Sequence, residues 1–196
     1  MPAPADAPLS VLVNDQGKKA AGTAVWDRHN EVADRMDRDE QVLVLDLLFT
    51  GDAAPEGPSF LFSEMLAATG NRAIGMQAAQ LIALTDWARD RWRAPSVRLE
   101  STGIRSQVAS FIALALEPHL FSEVEAQGGM RSLSYLLDKA VSYLDAPDLF
   151  CLDLYKDFDL DRLIALTEPA IVHEENYQEE MQRSEGVGSA ARKNHL

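Results

Sequence analysis

The side chains with the most chemical promise in this chain cluster in Ser96-Val-Arg-Leu-Glu-Ser-Thr-Gly-Ile-Arg-Ser-Gln107. The segment reads as a short strand, a tight turn and the start of an apolar-striped helix. A hydroxyl near such a turn suits acyl transfer to serine, because the free N–H groups of the helix start can hold the oxyanion that forms. Ser106 is the candidate nucleophile, with Thr102 and Ser101 behind it. The reaction also needs a base within hydrogen-bond reach of the hydroxyl. His173 is the candidate base, since Glu174 and Glu175 beside it favour a charged imidazole. Each residue also has a structural reading: a serine there caps the helix, and a histidine at a strand end is often solvated or hydrogen-bonded. Arg105 reads either as a surface cation or as an anion ligand working with the helix amides. The motif that usually accompanies this chemistry, G-x-S-x-G, occurs nowhere in the 196 residues.

Other motifs carry less. Gly70-Asn-Arg-Ala-Ile-Gly75 has the glycine spacing of a phosphate loop, but Met76 and Gln77 stand where lysine and serine or threonine are required. His173-Glu174 lacks the second histidine of a zinc helix, and one cysteine with scattered histidines, His29 and His119 among them, has no metal-ligand spacing. No metal or cofactor is implied. Cys151, in the apolar run Leu149-Phe-Cys-Leu152, reads as a buried small hydrophobe. Trp26, Trp87 and Trp92 either line a sugar site or anchor packing, and their helical spacing favours packing. The acidic clusters at residues 153–161 and 174–180 scatter among Lys156 and Arg162 in the manner of a solvated face.

The elements that must position these groups follow from periodicity. Ser10-Val-Leu-Val13 is a buried strand, and Ala20 to Arg38 has the apolar spacing of a one-sided helix. Gln41 to Phe49 is almost uninterruptedly apolar, as a parallel strand covered on both faces would be. A Gly/Pro-rich loop spans residues 50–58. A long helix covers roughly Gly75 to Trp92 and is stopped by Pro95; Val97 to Leu99 is the next strand, and the helix after Thr102-Gly103 runs to Pro118. Phe121 to Ala126, Ser132 to Tyr143, residues 148–166 and Pro169 to His173 read as strand, helix, one or two short helices, and strand. Five strands alternating with helices predict an α/β fold with a mainly parallel sheet and helices on both faces. Ligands of such sheets bind at the carboxyl ends of the strands.

Composition narrows the classes. Thirty-one acidic against 18 basic residues give a formal charge of −13, which repels nucleic acid and anionic membranes. No apolar run approaches the length of a membrane span, and the proline-rich start carries no secretory signal pattern. We read residues 1–8 as an extended lead-in or linker, 9–173 as one domain, and 174–196 as a polar tail, a loose helix followed by disorder. The compartment is not legible.

Val44-Leu-Asp-Leu-Leu-Phe-Thr-Gly-Asp52, Gly75 to Leu84 and Thr102 to Pro118 resemble, in turn, a strand-Asp-x-x-Gly segment, the pre-elbow helix and the elbow helix of the α/β-hydrolases. Residues 149–159, leading to Glu168-Pro-Ala-Ile-Val172, are similar to the late portion of acetylxylan-esterase-like and dienelactone-hydrolase-like members. The resemblance spans roughly Leu9 to Val172 and implies a truncated hydrolase-type domain with a degenerate nucleophile elbow. Asp46 reads either as a partner of a ribose hydroxyl, as in a nucleotide-binding protein, or as the anchor of the loop that follows it, as in a hydrolase, and the second fits better because no glycine-rich phosphate loop follows the first strand. Asn14-Asp-Gln-Gly17 replaces the His-Gly pair common around an oxyanion hole, and only His195 falls where the family's catalytic histidine belongs. The resemblance implies a carbohydrate-ester hydrolase domain that is inactive or incomplete as an isolated chain. The alternative is a non-catalytic module that packs against a catalytic hydrolase domain or a second copy of itself through an exposed sheet edge.

Overall fold

The computed structural model describes residues 4, 6–21, 31–175 and 177. The β-branched run after Pro8 forms β1 (Leu9–Asn14), whose side chains are buried through Val13. A strand buried on both faces belongs at the centre of a parallel sheet, and β1 pairs in parallel with β2 (Gln41–Leu45) on one side and β3 (Val97–Thr102) on the other. The sheet continues through β4 (Glu123–Gln127) to β5 (Ile171–Glu175), giving the order β2-β1-β3-β4-β5 with every pair parallel. The strand order reverses between β1 and β3. A crevice at the carboxyl ends of those two strands is where this architecture takes ligands.

Two long helices cover one face. In α3 (Ala73–Trp92), Ile74, Gln77, Ala78, Leu81, Thr85 and Ala88 recur at helical spacing and are all buried. Arg93, at φ 52°, ends the helix in the left-handed region just ahead of Pro95. Beside α3 lies α4 (Ile104–Leu116), which buries Val108, Ala109, Phe111 and Leu114 against Leu9, Val11 and Leu99. The opposite face receives α1 (Glu31–Met36), tied down by Arg35, which forms an ion pair with Glu100 and lies 3.7 Å from Glu125.

Several elements differ from their expected bounds. The β2 strand stops at Leu45, because the Asp46 carboxylate turns back to bind the loop; Leu47 and Phe49 are buried but belong to that loop. Being an edge strand, β2 is half-buried rather than covered on both faces. Helix α2 (Ser59–Ala68) has no counterpart among the elements expected from periodicity: it buries no residue, and Leu61, Phe62 and Met65 stand exposed, so it has no inside–outside period to detect. The helix expected over residues 132–143 contracts to α5 (Tyr135–Asp138). Ala140, at φ 49°, turns the chain, and the Val141 N–H closes onto the Leu136 carbonyl. The short helices α6 (Leu152–Asp157) and α7 (Leu160–Ala165) follow, the latter capped by Asp159.

Glu174 and Glu175 belong to β5, so the last strand runs two residues past the expected His173; residues 176 and 178–196, with His195, lie outside the described residues. So do residues 22–30, with Trp26, His29 and the first part of the expected helix over 20–38. Trp92 packs against the core, whereas Trp87 is 56% exposed and lies T-shaped to Trp92 at 6.1 Å between ring centroids, a correction to the expectation that both anchor packing. Cys151 is buried as expected. Among the described residues, no helix is long and apolar enough to cross a membrane.

Candidate functional site

The junction of β3 and α4 is a single residue, Gly103, at φ 103° and ψ 171°. That combination is essentially restricted to glycine. The position between strand and helix is where a hydrolase elbow places its nucleophile, so the apex of this turn carries no side chain at all. Sequence reasoning singled out hydroxyls on either side and passed over the glycine itself. The usable signal was Gly103 as the one residue between a strand pattern and a helix pattern.

The flanking hydroxyls of Ser101 and Ser106 are both buried. Ser101 is buried within β3, its Oγ lacking a hydrogen-bond partner among the described residues. The Thr102 carbonyl accepts from the Asp15 N–H at 3.0 Å. Ser106 lies in the first turn of α4, 2% exposed, and its hydroxyl donates to Asp15 Oδ1 at 2.8 Å. Ser106 does not cap the helix. Asp15, arriving from the loop after β1, does so: its Oδ1 also accepts from the Ser106 N–H at 2.8 Å, and its Oδ2 from the Arg105 N–H at 3.1 Å. The same carboxylate covers Gly103 so closely that a Cβ there would lie inside its van der Waals surface. Desolvation raises the Asp15 pKa, opposed by these three donors and by the charge of Arg105.

His173 is on the other side of the sheet. Side chains alternate along a strand; Glu174 of β5 reaches α4, accepting from Gln107 Nε2 at 3.0 Å, so His173 faces the α1 side. Its Nε2 lies 3.6 Å from Glu123 Oε1, and its side chain is 54% exposed. Ser106 and His173 are therefore not brought together. The carboxylate recorded beside the imidazole is Glu123 of the adjacent strand, while Glu174 faces the other side of the sheet.

Three further polar clusters fasten the loops around the apex. Asp46 Oδ1 accepts from the Lys18 N–H at 2.6 Å and Oδ2 from the Asp52 N–H at 3.0 Å, with Lys18 Nζ 3.1 Å away. Burial opposes ionisation of Asp46, but these partners together hold its pKa below the ordinary value. Of its two expected readings, the structure shows the one in which Asp46 holds the following loop. Arg105 is neither a surface cation nor a free anion ligand: Nη1 donates to the Phe49 carbonyl at 3.3 Å, Nε lies 3.3 Å from Asp148 Oδ1, and Nη2 bonds the Asp145 carbonyl. Burial raises the Asp148 pKa, while Arg105 and then Gln77, whose Nε2 is 3.0 Å from Oδ2, pull it down. Gln107 clasps the loop after β4, donating to the Met130 carbonyl at 3.0 Å and accepting from the Met130 N–H at 2.9 Å. Among the described residues there is no group of three or more His, Cys, Asp and Glu side chains able to hold a metal.

No family model and no curated protein matches this sequence. A solved structure does match: the crystal structure of a Bacteroides fragilis protein provisionally named an acetyl xylan esterase superposes with a TM-score of 0.71 at 9% identity. The match covers 89% of this chain and 53% of the other, so the chain spans about half the length of that structure. What is shared at such low identity is the fold alone, the path of the chain through an α/β architecture that here has a five-stranded parallel sheet.

Proposed function

We propose that this chain is a non-catalytic esterase-type domain, related by fold to carbohydrate-ester hydrolases of the acetylxylan kind. One observation carries the reading: the elbow apex is Gly103, with no side chain to act as a nucleophile. Ser106, the hydroxyl closest to it in the helix, spends its proton on Asp15, and the candidate base, His173, faces the other side of the sheet. A serine hydrolase needs hydroxyl and base in contact, and this pair is separated by the sheet.

The experiment is treatment of the purified, folded protein with a fluorophosphonate probe, followed by peptide mass spectrometry. Wild-type protein is expected to stay unlabelled, and p-nitrophenyl acetate to be hydrolysed at the background rate. Labelling of Ser106, or of any other serine at a rate abolished by unfolding, overturns the reading.

A role for such a domain is packing against a catalytic hydrolase domain or against its own copy. The supporting observation is the edge of β5, which pairs only with β4 among the described residues and leaves Ile171 58% exposed. An unpaired edge of this kind accepts another chain. Light scattering across concentration reads self-association directly. A monomer at all concentrations leaves the heterologous partner.

A further inference from the structure

Building on the non-catalytic reading, we infer that Asp15 is an autoinhibitory plug: one carboxylate occupies the space that a side chain at the turn apex would need and ties up two N–H groups of the helix start beside it. The loop after β1 and the turn after β3 meet at the topological switch point of the sheet, where such folds open to ligands. Here that point is closed. The Asp15 N–H bonds the Thr102 carbonyl, fixing the loop against the end of β3, and the Gly103 N–H bonds the Gln127 carbonyl at 2.8 Å, fixing the turn. Neither backbone can retreat easily.

Two independent features then converge on the same carboxylate. Sterically, it fills the place a Cβ at Gly103 would take. Electrostatically, it consumes the Arg105 and Ser106 N–H groups and the Ser106 hydroxyl. The two N–H groups of this helix start that Asp15 holds are therefore not free for a substrate anion. Silence in this domain is therefore doubly determined, by the missing nucleophile and by the seal over its seat. Placing a side chain at position 103 is not enough to reopen the site while Asp15 remains.

The inference makes Asp15 and Gly103 an energetically coupled pair, which a double-mutant cycle measures. The variants are Asp15→Gly, Gly103→Ala and the two combined, each unfolded in urea. The strain of a non-glycine residue at φ 103° is common to both backgrounds and cancels in the comparison. Gly103→Ala is expected to lower the folding equilibrium constant at least tenfold more when Asp15 is present than in the Asp15→Gly background. Failure of Gly103→Ala to fold while the double variant folds supports the plug equally. Additive losses, or failure of Gly103→Ala on both backgrounds while Asp15→Gly alone folds, overturn the plug. If Asp15→Gly itself does not fold, Asp15→Ala replaces it in the same cycle, and failure of both overturns the inference, since a plug is dispensable to the fold. Fluorophosphonate labelling of the wild type bears only on the non-catalytic reading, so the two ideas fail separately.

Discussion

Replacing Asp46 by asparagine tests the idea that buried carboxylates, rather than apolar contacts, fasten the loops over the carboxyl end of the sheet. The Asp46 side chain is 7% exposed and gathers two backbone N–H donors from different loops, Lys18 at 2.6 Å and Asp52 at 3.0 Å, plus the Lys18 ammonium at 3.1 Å. Hydrogen bonds to a charged acceptor contribute about 1.5–3 kcal/mol each, and asparagine retains one neutral acceptor. The Lys18 side chain is 39% exposed, so solvent screens its ion pair, which adds little to the two backbone donors. The expected loss is about 2–3 kcal/mol. With a urea m-value of about 2–3 kcal/mol per molar for a chain of this size, the midpoint should fall by ~1 M, read by tryptophan fluorescence. The pH dependence has a definite sign. The Asp46 pKa is depressed in the folded state, so its contribution is present in full above the ordinary carboxyl value of 3.8 and fades as pH falls through the lower folded value. The gap between wild type and Asp46→Asn should therefore be constant near neutrality and close on acidification below about pH 4. A gap under about 0.5 kcal/mol, or one that widens in acid, would refute the loop-fastening argument.

Other side chains make equally specific demands. Arg105→Met strands the Asp148 carboxylate, whose side chain is fully buried; the expected cost is about 3–5 kcal/mol, and the deficit should shrink as acid protonates Asp148, seen by urea melts at two pH values. Gln107→Ala removes the acceptor of the buried Met130 N–H, costing about 1–3 kcal/mol and accelerating hydrogen exchange at that amide, measurable by NMR. Ser106→Ala deletes one of three donors to Asp15; it should cost about 1–2 kcal/mol in a thermal or urea melt and leave fluorophosphonate reactivity at the background of the wild type.

How far the sequence reached is clearest at the elbow. The alternation of apolar strands with 3.6-period helices was enough for the sheet class, because period and burial are local properties of β1, β3, α3 and α4. Strand ends were displaced by a few residues wherever a polar side chain or a loop bond intervened: Asp46 ends β2 early, and the loop bonds at Gln127 extend β4. Helix α2 escaped notice because an exposed helix has no buried stripe to betray it. His173 and Ser106 each looked plausible alone, since a one-dimensional reading cannot say which face of the sheet a side chain meets.

Asp15 and Gly103 show the same division most sharply. Eighty-eight positions of chain separate them, and nothing local marks Asp15 as more than a turn residue in Asn14-Asp-Gln-Gly17. Composition and pattern determined an acidic α/β domain with parallel strands, a glycine at the turn and no G-x-S-x-G. Tertiary structure alone decided that adjacent strands β1 and β3 bring that aspartate onto that glycine. The physical reason is that strand register aligns Asn14 with Thr102, so the residues that follow each strand must share one small space, and a carboxylate over a helix start fills it with its hydrogen bonds satisfied.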